Sequence, residues 1–308
     1  MAELEDALKG RRALITGMGG FLGSNLGLHL DRAGWEVWGS WHAQDPALPG
    51  VRARHLDVCL PGPVGELMEE SKPDLVFHLA AIADPDACAD DEAAARQINV
   101  QGTKIVATAA RLAGARLVFL STDQVFDGSR ALWSESDAPS PLGAYGRSKR
   151  DAEAMAFEAG GDSTLVVRLA LTYGWGRGAA RGRNFAEKWL RTLLTGGRQR
   201  AFTDQWRTPI YGVDACEALR LGAEQGWRGL LHLAGPERVT RHDFAVRLAR
   251  EFHFPPEGMQ AASLKDTVFK DPRPADASLD TTKLASLGFR ARGLDEGLKA
   301  MHQDLETL

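Results

Sequence analysis

Thr16-Gly17-Met18-Gly19-Gly20-Phe21-Leu22-Gly23 is the stretch on which the fold turns. An apolar run, Ala13-Leu14-Ile15, precedes it, and an apolar-periodic segment over residues 21–33 follows and closes at Gly34. That order reads as strand, tight turn and helix. The three glycines act differently. Gly17 lets the backbone bend sharply, Gly20 removes a side chain where a pyrophosphate would approach, and Gly23 lets the helix pack close to the strand. The N–H groups at the helix start, around Phe21 and Leu22, would then face a diphosphate with the helix dipole behind them.

Outward from this turn the alternation continues. Residues 36–40 and 51–55 read as strands, 64–70 as a helix, 74–79 as a buried strand, 93–113 as one alanine-rich helix and 116–120 as the next strand. Such alternation implies an α/β fold: a Rossmann-type, doubly wound parallel sheet with helices on both faces. After a strand near 164–168 the character changes. Residues 174–183 are rich in Gly and Arg, 185–194 form an amphipathic helix, 229–233 return to the sheet, and the carboxy-terminal part carries Pro, a helix over 241–251 and irregular connections. The expected division is a dinucleotide-binding domain over 1–172 plus about 212–234, and a smaller substrate lobe over about 173–211 plus 235–308, with the ligand in the cleft between them.

The 308 residues are 44% hydrophobic and 25% charged, and 37 basic against 41 acidic side chains give a net charge of −4. With no long basic run, a nucleic-acid partner is not expected. No apolar stretch is long enough to span a bilayer, and the amino terminus, Met-Ala-Glu-Leu-Glu-Asp, is acidic where an export signal is basic and then apolar, so a cytoplasmic protein is expected. Cys59, Cys88 and Cys216 are too widely spaced for a zinc site and odd in number, which reads as buried free thiols and no metal.

Tyr145 and Lys149 stand at i and i+4, so on a helix they share a face. A free phenol titrates near ~10, and a neighbouring ammonium favours its ionised form. Upstream lies Leu120-Ser121-Thr122-Asp123-Gln124-Val125-Phe126-Asp127-Gly128.

With its glycine spacing, with His78-Leu79-Ala80-Ala81 and Asn99-Val100-Gln101-Gly102-Thr103, and with the Tyr145/Lys149 pair placed after the Ser121-Thr122 strand, the chain resembles the extended branch of the short-chain dehydrogenase/reductases. Residues 121–128, Asn184-Phe185, Asp204-Gln205-Trp206-Arg207-Thr208-Pro209, Leu231-His232-Leu233-Ala234-Gly235 and Arg273-Pro274 look most like dTDP-4-dehydrorhamnose reductases within it. The resemblance implies an NAD(P)-dependent oxidoreductase that reduces the 4-keto group of a nucleotide-linked deoxysugar. It implies that Thr122, with Ser121 as a substitute, bonds the substrate carbonyl, that Tyr145 donates the proton, and that Lys149 lowers the tyrosine pKa and holds the nicotinamide ribose. By the same resemblance Asp57 and Val58 fall at the adenine, and Leu79, Ala80, Ala81, Asn99 and Ala170 join Tyr145 and Lys149 along the cofactor. Asp123, Asn184, Arg207 and Arg273 fall on the substrate side. His78 taken alone reads as a satisfied core histidine.

NAD-preferring relatives carry an acid at the end of the second strand. Here that place is Ser40-Trp41-His42, with Arg52 and Arg54 further along, so NADP is favoured over NAD. Arg207 and Arg273 suit a diphosphate, and Trp133, Trp175 and Trp206 are candidates to stack on a base or sugar. Gln124 stands where a dehydratase has a glutamate, and an amide cannot abstract a proton, which disfavours dehydration. Two departures from the reductase pattern are Gln124 in place of tyrosine and Gly143-Ala144 in place of an asparagine before Tyr145. Two alternatives stay open: a nucleotide-sugar epimerase, and a non-catalytic, NADP-binding regulatory subunit like the methionine adenosyltransferase beta subunit. A homodimer is the candidate assembly.

Overall fold

The structure, a computed structural model, describes residues 11–307. The acidic stretch at residues 1–6 lies outside them. In chain order the strands of the main sheet are β1 (Arg12–Thr16), β2 (Glu36–Trp41), β3 (Arg52–His55), β4 (Leu75–His78), β5 (Arg116–Thr122), β6 (Leu165–Leu169) and, after four short strands, β11 (Gly229–Leu233). The short ones are β7 (Thr172–Tyr173), β8 (Gln199–Phe202), β9 (Trp206–Arg207) and β10 (Ile210–Tyr211), and β12 (Val239–Thr240) and β13 (Met259–Ala262) follow β11. The seven-stranded sheet runs β11-β6-β5-β4-β1-β2-β3 and is parallel throughout.

Both faces of the sheet are covered at its centre, which is why β1, β4, β5 and β6 read as largely apolar runs, whereas the edge strand β3, Arg52-Ala53-Arg54-His55, is polar and partly exposed. Successive residues of β1 point to opposite faces: Ile15 packs with Leu26 and Leu30 of α1 (Phe21–Arg32) and with Leu219 of α8 (Gly212–Glu224). Leu14 instead joins Val64 and Leu67 of α2 (Pro61–Ser71), Val106 of α5 (Gly102–Leu112) and Ala152 and Ala156 of α6 (Ala144–Gly160). Alanine along α6 lets that helix lie close to the sheet, and this closeness brings Tyr145 and Lys149 to the strand ends. Leu284, from α10 (Thr282–Ser286), and Phe289 also pack into the α1 face. A separate core joins Trp189 and Leu190 of α7 (Phe185–Leu194), Phe244 and Leu248 of α9 (Arg241–Glu251) and Leu298 and Met301 of α11 (Leu294–Asp304).

The single helix read over 93–113 is continuous but not uniform: α4 (Glu92–Arg96) passes through a π turn at Gln97–Gln101 into α5, and a separate short helix, α3 (Pro85–Asp90), precedes it. The cause is Asn99, whose side chain is drawn inward to bond both the Ile82 backbone and Ser148, and the widened turn accommodates it. All three cysteines are free; Cys88 and Cys216 are buried, whereas Cys59 is only half-buried. Among the described residues no helix is long and apolar enough to cross a membrane.

Candidate active site

The strand order reverses between β1 and β4, and the crevice outside the carboxyl ends of an open parallel sheet at such a point is where ligands bind. Gly17 has φ +75°, and a Cβ there would sit 2.7 Å from the Ala80 nitrogen. At Gly23 a Cβ would overlap the Gly17 carbonyl. The turn is tied to β2 by Met18 N–H, which donates to the Ser40 carbonyl at 2.9 Å. Gly20 N–H closes the turn by donating to the Gly17 carbonyl at 3.1 Å, and helix α1 has no side-chain cap and no acid in its first turn, so no side chain compensates its positive end at Phe21 and Leu22. Such a cradle fits the diphosphate of a nicotinamide dinucleotide.

The other residues read for the cofactor lie on this edge with varied exposure. Leu79, Ala80 and Ala81 leave β4 half-exposed beside the glycine turn. Asp57 accepts Cys59 N–H at 2.9 Å, and Val58 is buried against Gly102. Ser40 is buried within the sheet register, so of the two hydroxyl and imidazole donors read there only His42 is exposed. Trp41 lies edge-on to His55 at 5.1 Å and His42 tilts over the same ring at 5.4 Å. Arg52 and Arg54, read as nearby reserves of positive charge, pair with Glu36 and Glu70. Asn99 is fully buried with its amide satisfied by Ile82 and Ser148, so it joins the β4 loop to α6. Ala170 is buried and donates its N–H to Leu233. His78 is a core histidine as read: Thr16 and Thr103 hydroxyls bond its two ring nitrogens at 2.7 and 3.0 Å, and burial pulls its pKa down to about 3.

Ser121 and Thr122 end β5 on opposite faces. The Ser121 hydroxyl donates to Glu153 at 2.5 Å, inside a buried pair in which Arg168 grips both oxygens of Glu153 at 2.8 and 2.9 Å. That leaves Thr122 for the crevice. Its hydroxyl accepts Gln124 N–H at 3.2 Å and donates to Asp123 at 3.1 Å. Tyr145, only 8% exposed, stands in the first turn of α6. Burial pushes its phenol pKa up, and a hydrogen bond with Thr122 opposes that push only in part. Lys149 does not supply the expected lowering in the chain alone: its ammonium donates to the Leu120 carbonyl at 2.6 Å, lies 4.2 Å from the Phe119 ring, and is drawn by burial down to about 7. A phenol held protonated at neutral pH is the state that a proton donor requires.

On the other side of Thr122 a charged cluster is buried. Asp123 is 4% exposed and its carboxyl pKa is raised by burial against the pull of Arg207, whose Nε lies 3.5 Å away. Arg207 also donates to the carbonyls of Trp206 and Pro274. Arg273 pairs with Asp86 at 2.8 Å. Arg241, which the sequence reading missed, lies over the rings of Phe185 and Trp189 at 4.2 and 4.6 Å, and burial with the repulsion of Arg207 lowers its pKa to about 9. One signal was available: Arg241 opens a helix, where a cation opposes the dipole. Among the described residues, buried Nη1 atoms of Arg241 and Arg273 have no hydrogen-bond partner, and neither has Oδ2 of Asp123. Arg273 Nη1 lies 3.7 Å from an Asp271 carboxylate oxygen, an ion pair too long for a hydrogen bond, and buried guanidinium donors with hydrogen bonds to spare fit an anionic ligand. Asn184 caps α7, accepting Ala186 N–H and donating to the Thr172 carbonyl, so it shapes the lobe from its edge. Trp133 is stacked on Phe126 in the core and Trp175 bonds the Met301 carbonyl, while Trp206 carries Arg238 over its ring at 3.8 Å.

Residues 11–307 match the family model described as the RmlD substrate binding domain. The chain belongs to this family. It is 31% identical over 291 residues to the dTDP-4-dehydrorhamnose reductase of Mycobacterium tuberculosis, covering 91% of this chain and 88% of that protein. It is also 29% identical over 300 residues to the methionine adenosyltransferase 2 subunit beta of Rattus norvegicus, covering 95% of this chain and 87% of the other. The crystal structure of the Bacillus anthracis dTDP-4-dehydrorhamnose reductase in complex with NADP superimposes with a TM-score of 0.85 at 25% identity, over 96% of this chain and 99% of that one. The RmlD-family fold thus places the chain among the extended short-chain dehydrogenase/reductases.

Proposed function

We propose that this RmlD-family chain is an NAD(P)-dependent oxidoreductase that reduces the 4-keto group of a nucleotide-linked deoxysugar, with NADPH preferred. The observation that carries this reading is the hydrogen bond between Thr122 and Tyr145 at the end of β5, beside the buried Asp123–Arg207 pair and the half-buried Arg241. The nicotinamide supplies a hydride when bound. Thr122 orients the substrate carbonyl through its hydroxyl, Tyr145 delivers its phenolic proton to the oxygen as negative charge develops there, and Lys149, one helical turn on from Tyr145, would hold the nicotinamide ribose. The diphosphate of the substrate meets the guanidinium groups, whose fixed forks bind it in two-point fashion. The preference for NADPH rests on His42 and the absence of a carboxylate at the end of β2. The lobe over about 173–211 and 235–308 would hold the sugar, and we place the protein in the cytoplasm as a candidate homodimer.

The test is oxidation of NADPH and NADH by the protein in the presence of a dTDP-4-keto-6-deoxyhexose. Turnover, faster with NADPH, is the expected result; cofactor bound with no turnover on any of several keto-sugar nucleotides would overturn the reading. The likeness to the adenosyltransferase beta subunit favours one second reading, a regulatory partner, and that outcome would select it.

A further inference from the structure

Helix α6 begins without a cap of its own. Gly143 holds the cap position in an extended conformation, φ −102° and ψ 172°, and has no side chain to accept an N–H from the first turn. The acceptor comes from 127 residues later in the chain: Oδ1 of Asp271 takes the Ala144 N–H at 2.6 Å. Asp271 is 3% exposed, and a Cβ on Gly143 would overlap its carboxylate, so the glycine makes the room that the carboxylate fills. The flanking residues fasten the same segment to α3. Lys270 pairs with Asp90 at 2.7 Å, the Asp271 N–H donates to Asp86 at 3.3 Å, and Arg273 pairs with Asp86 at 2.8 Å. Arg207 then holds the Pro274 carbonyl at 3.3 Å. One short segment therefore touches the helix that carries Tyr145 and, two residues on, presents Arg273 to the substrate side.

We propose that Asp271 is a positioning residue for Tyr145: the carboxy-terminal segment supplies the cap that the catalytic helix lacks, so that seating Arg273 and aligning the tyrosine are one event. This rests on the reading of Tyr145 as the proton donor. A carboxylate at a helix start satisfies an otherwise orphaned N–H and complements the dipole, and one removed cap loosens the first turn. Tyr145 is in that turn.

The test is a cap transfer. Asp271→Ala should lower kcat about 10-fold, with cofactor Kd unchanged, because an ordering interaction is lost where alignment sets the rate. Gly143→Asn alone should also lower kcat, since its side chain overlaps the carboxylate. The double variant Gly143→Asn with Asp271→Ala should recover kcat to within about threefold of wild type, because Asn is a favoured cap and the space is now free. With only three tyrosines in the chain, ring-labelled NMR resolves Tyr145 and reports its environment whether or not the protein turns over. Its signal should shift or broaden in Asp271→Ala and return in the double variant. Wild-type kcat and an unmoved Tyr145 signal in folded Asp271→Ala would overturn the proposal, as would a folded double variant with no recovery of either. A protein in which the Tyr145 signal follows the cap while no keto-sugar is reduced would sink the reductase reading and leave the positioning role standing.

Discussion

The two sides of the crevice are built by different means. On the proposed cofactor side the working parts are backbone, set by eight consecutive residues: a left-handed Gly17, close approach at Gly23 and the start of α1 without a side-chain cap. On the proposed substrate side the working parts are side chains that come from far apart in the chain, Asp123, Arg207, Arg241, Asp271 and Arg273, aimed by bonds to other segments or, for Arg241, by two aromatic rings. The difference teaches that a site made of backbone is fixed as soon as its local turn forms. A site made of distant side chains exists only once the whole chain has folded.

Substitutions that strike one side and spare the other test that contrast. Among the variants that act on binding, Gly17→Val should have the largest effect, because a branched side chain is strained at positive φ and meets the Ala80 backbone. Cofactor binding, followed by fluorescence titration, should weaken at least about 100-fold, equivalent to about 2.7 kcal/mol. Normal cofactor affinity would break the assignment of the cradle. Arg207→Ala should raise KM about 10- to 100-fold, in line with ~1–3 kcal/mol for a buried charged hydrogen-bonding group, and leave cofactor Kd alone. An unchanged KM would remove Arg207 from the substrate side. Arg241→Met keeps the stem over Phe185 and Trp189 and loses only the charge; KM should rise by about 5-fold, and the KM of a substrate lacking the diphosphate should not move.

The smallest expected effect is on stability, and it probes the floor that both sides share. His78 is neutral in the fold, with its pKa lowered to about 3 from an ordinary value near 6.5, so the unfolded chain takes up a proton that the folded one refuses. Its contribution is therefore whole above pH 6.5 and is lost as pH falls toward 3. In urea titrations the stability advantage of wild type over His78→Gln should shrink from pH 7.5 to pH 5, and an advantage that grew on acidification would contradict the neutral, doubly bonded imidazole.

How much was legible follows the same division. The order of strands and helices, the glycine turn, and the helices over 185–194 and 241–251 could be read because each is a local pattern of apolar period and turn residues. The π turn could not, since it arises from Asn99 reaching Ile82 and Ser148, contacts with no trace in a window of neighbouring residues. Thr122, Tyr145 and Lys149 were legible through their order along the chain, but the burial that sends Lys149 to the Leu120 carbonyl was not. Arg207 and Arg273 were visible as arginines in irregular segments. Their engagement with Asp123, Pro274 and Asp86 is a property of the folded lobe, as is the arrival of Asp271 at α6.

The most direct test of the central claim is Tyr145→Phe, assayed for NADPH oxidation with a dTDP-4-keto-6-deoxyhexose beside a titration of NADPH binding. The predicted result is a loss of turnover by about 10²- to 10⁴-fold, the range for removing a positioned proton donor, with cofactor affinity within about twofold of wild type. Full activity in the phenylalanine variant would contradict it.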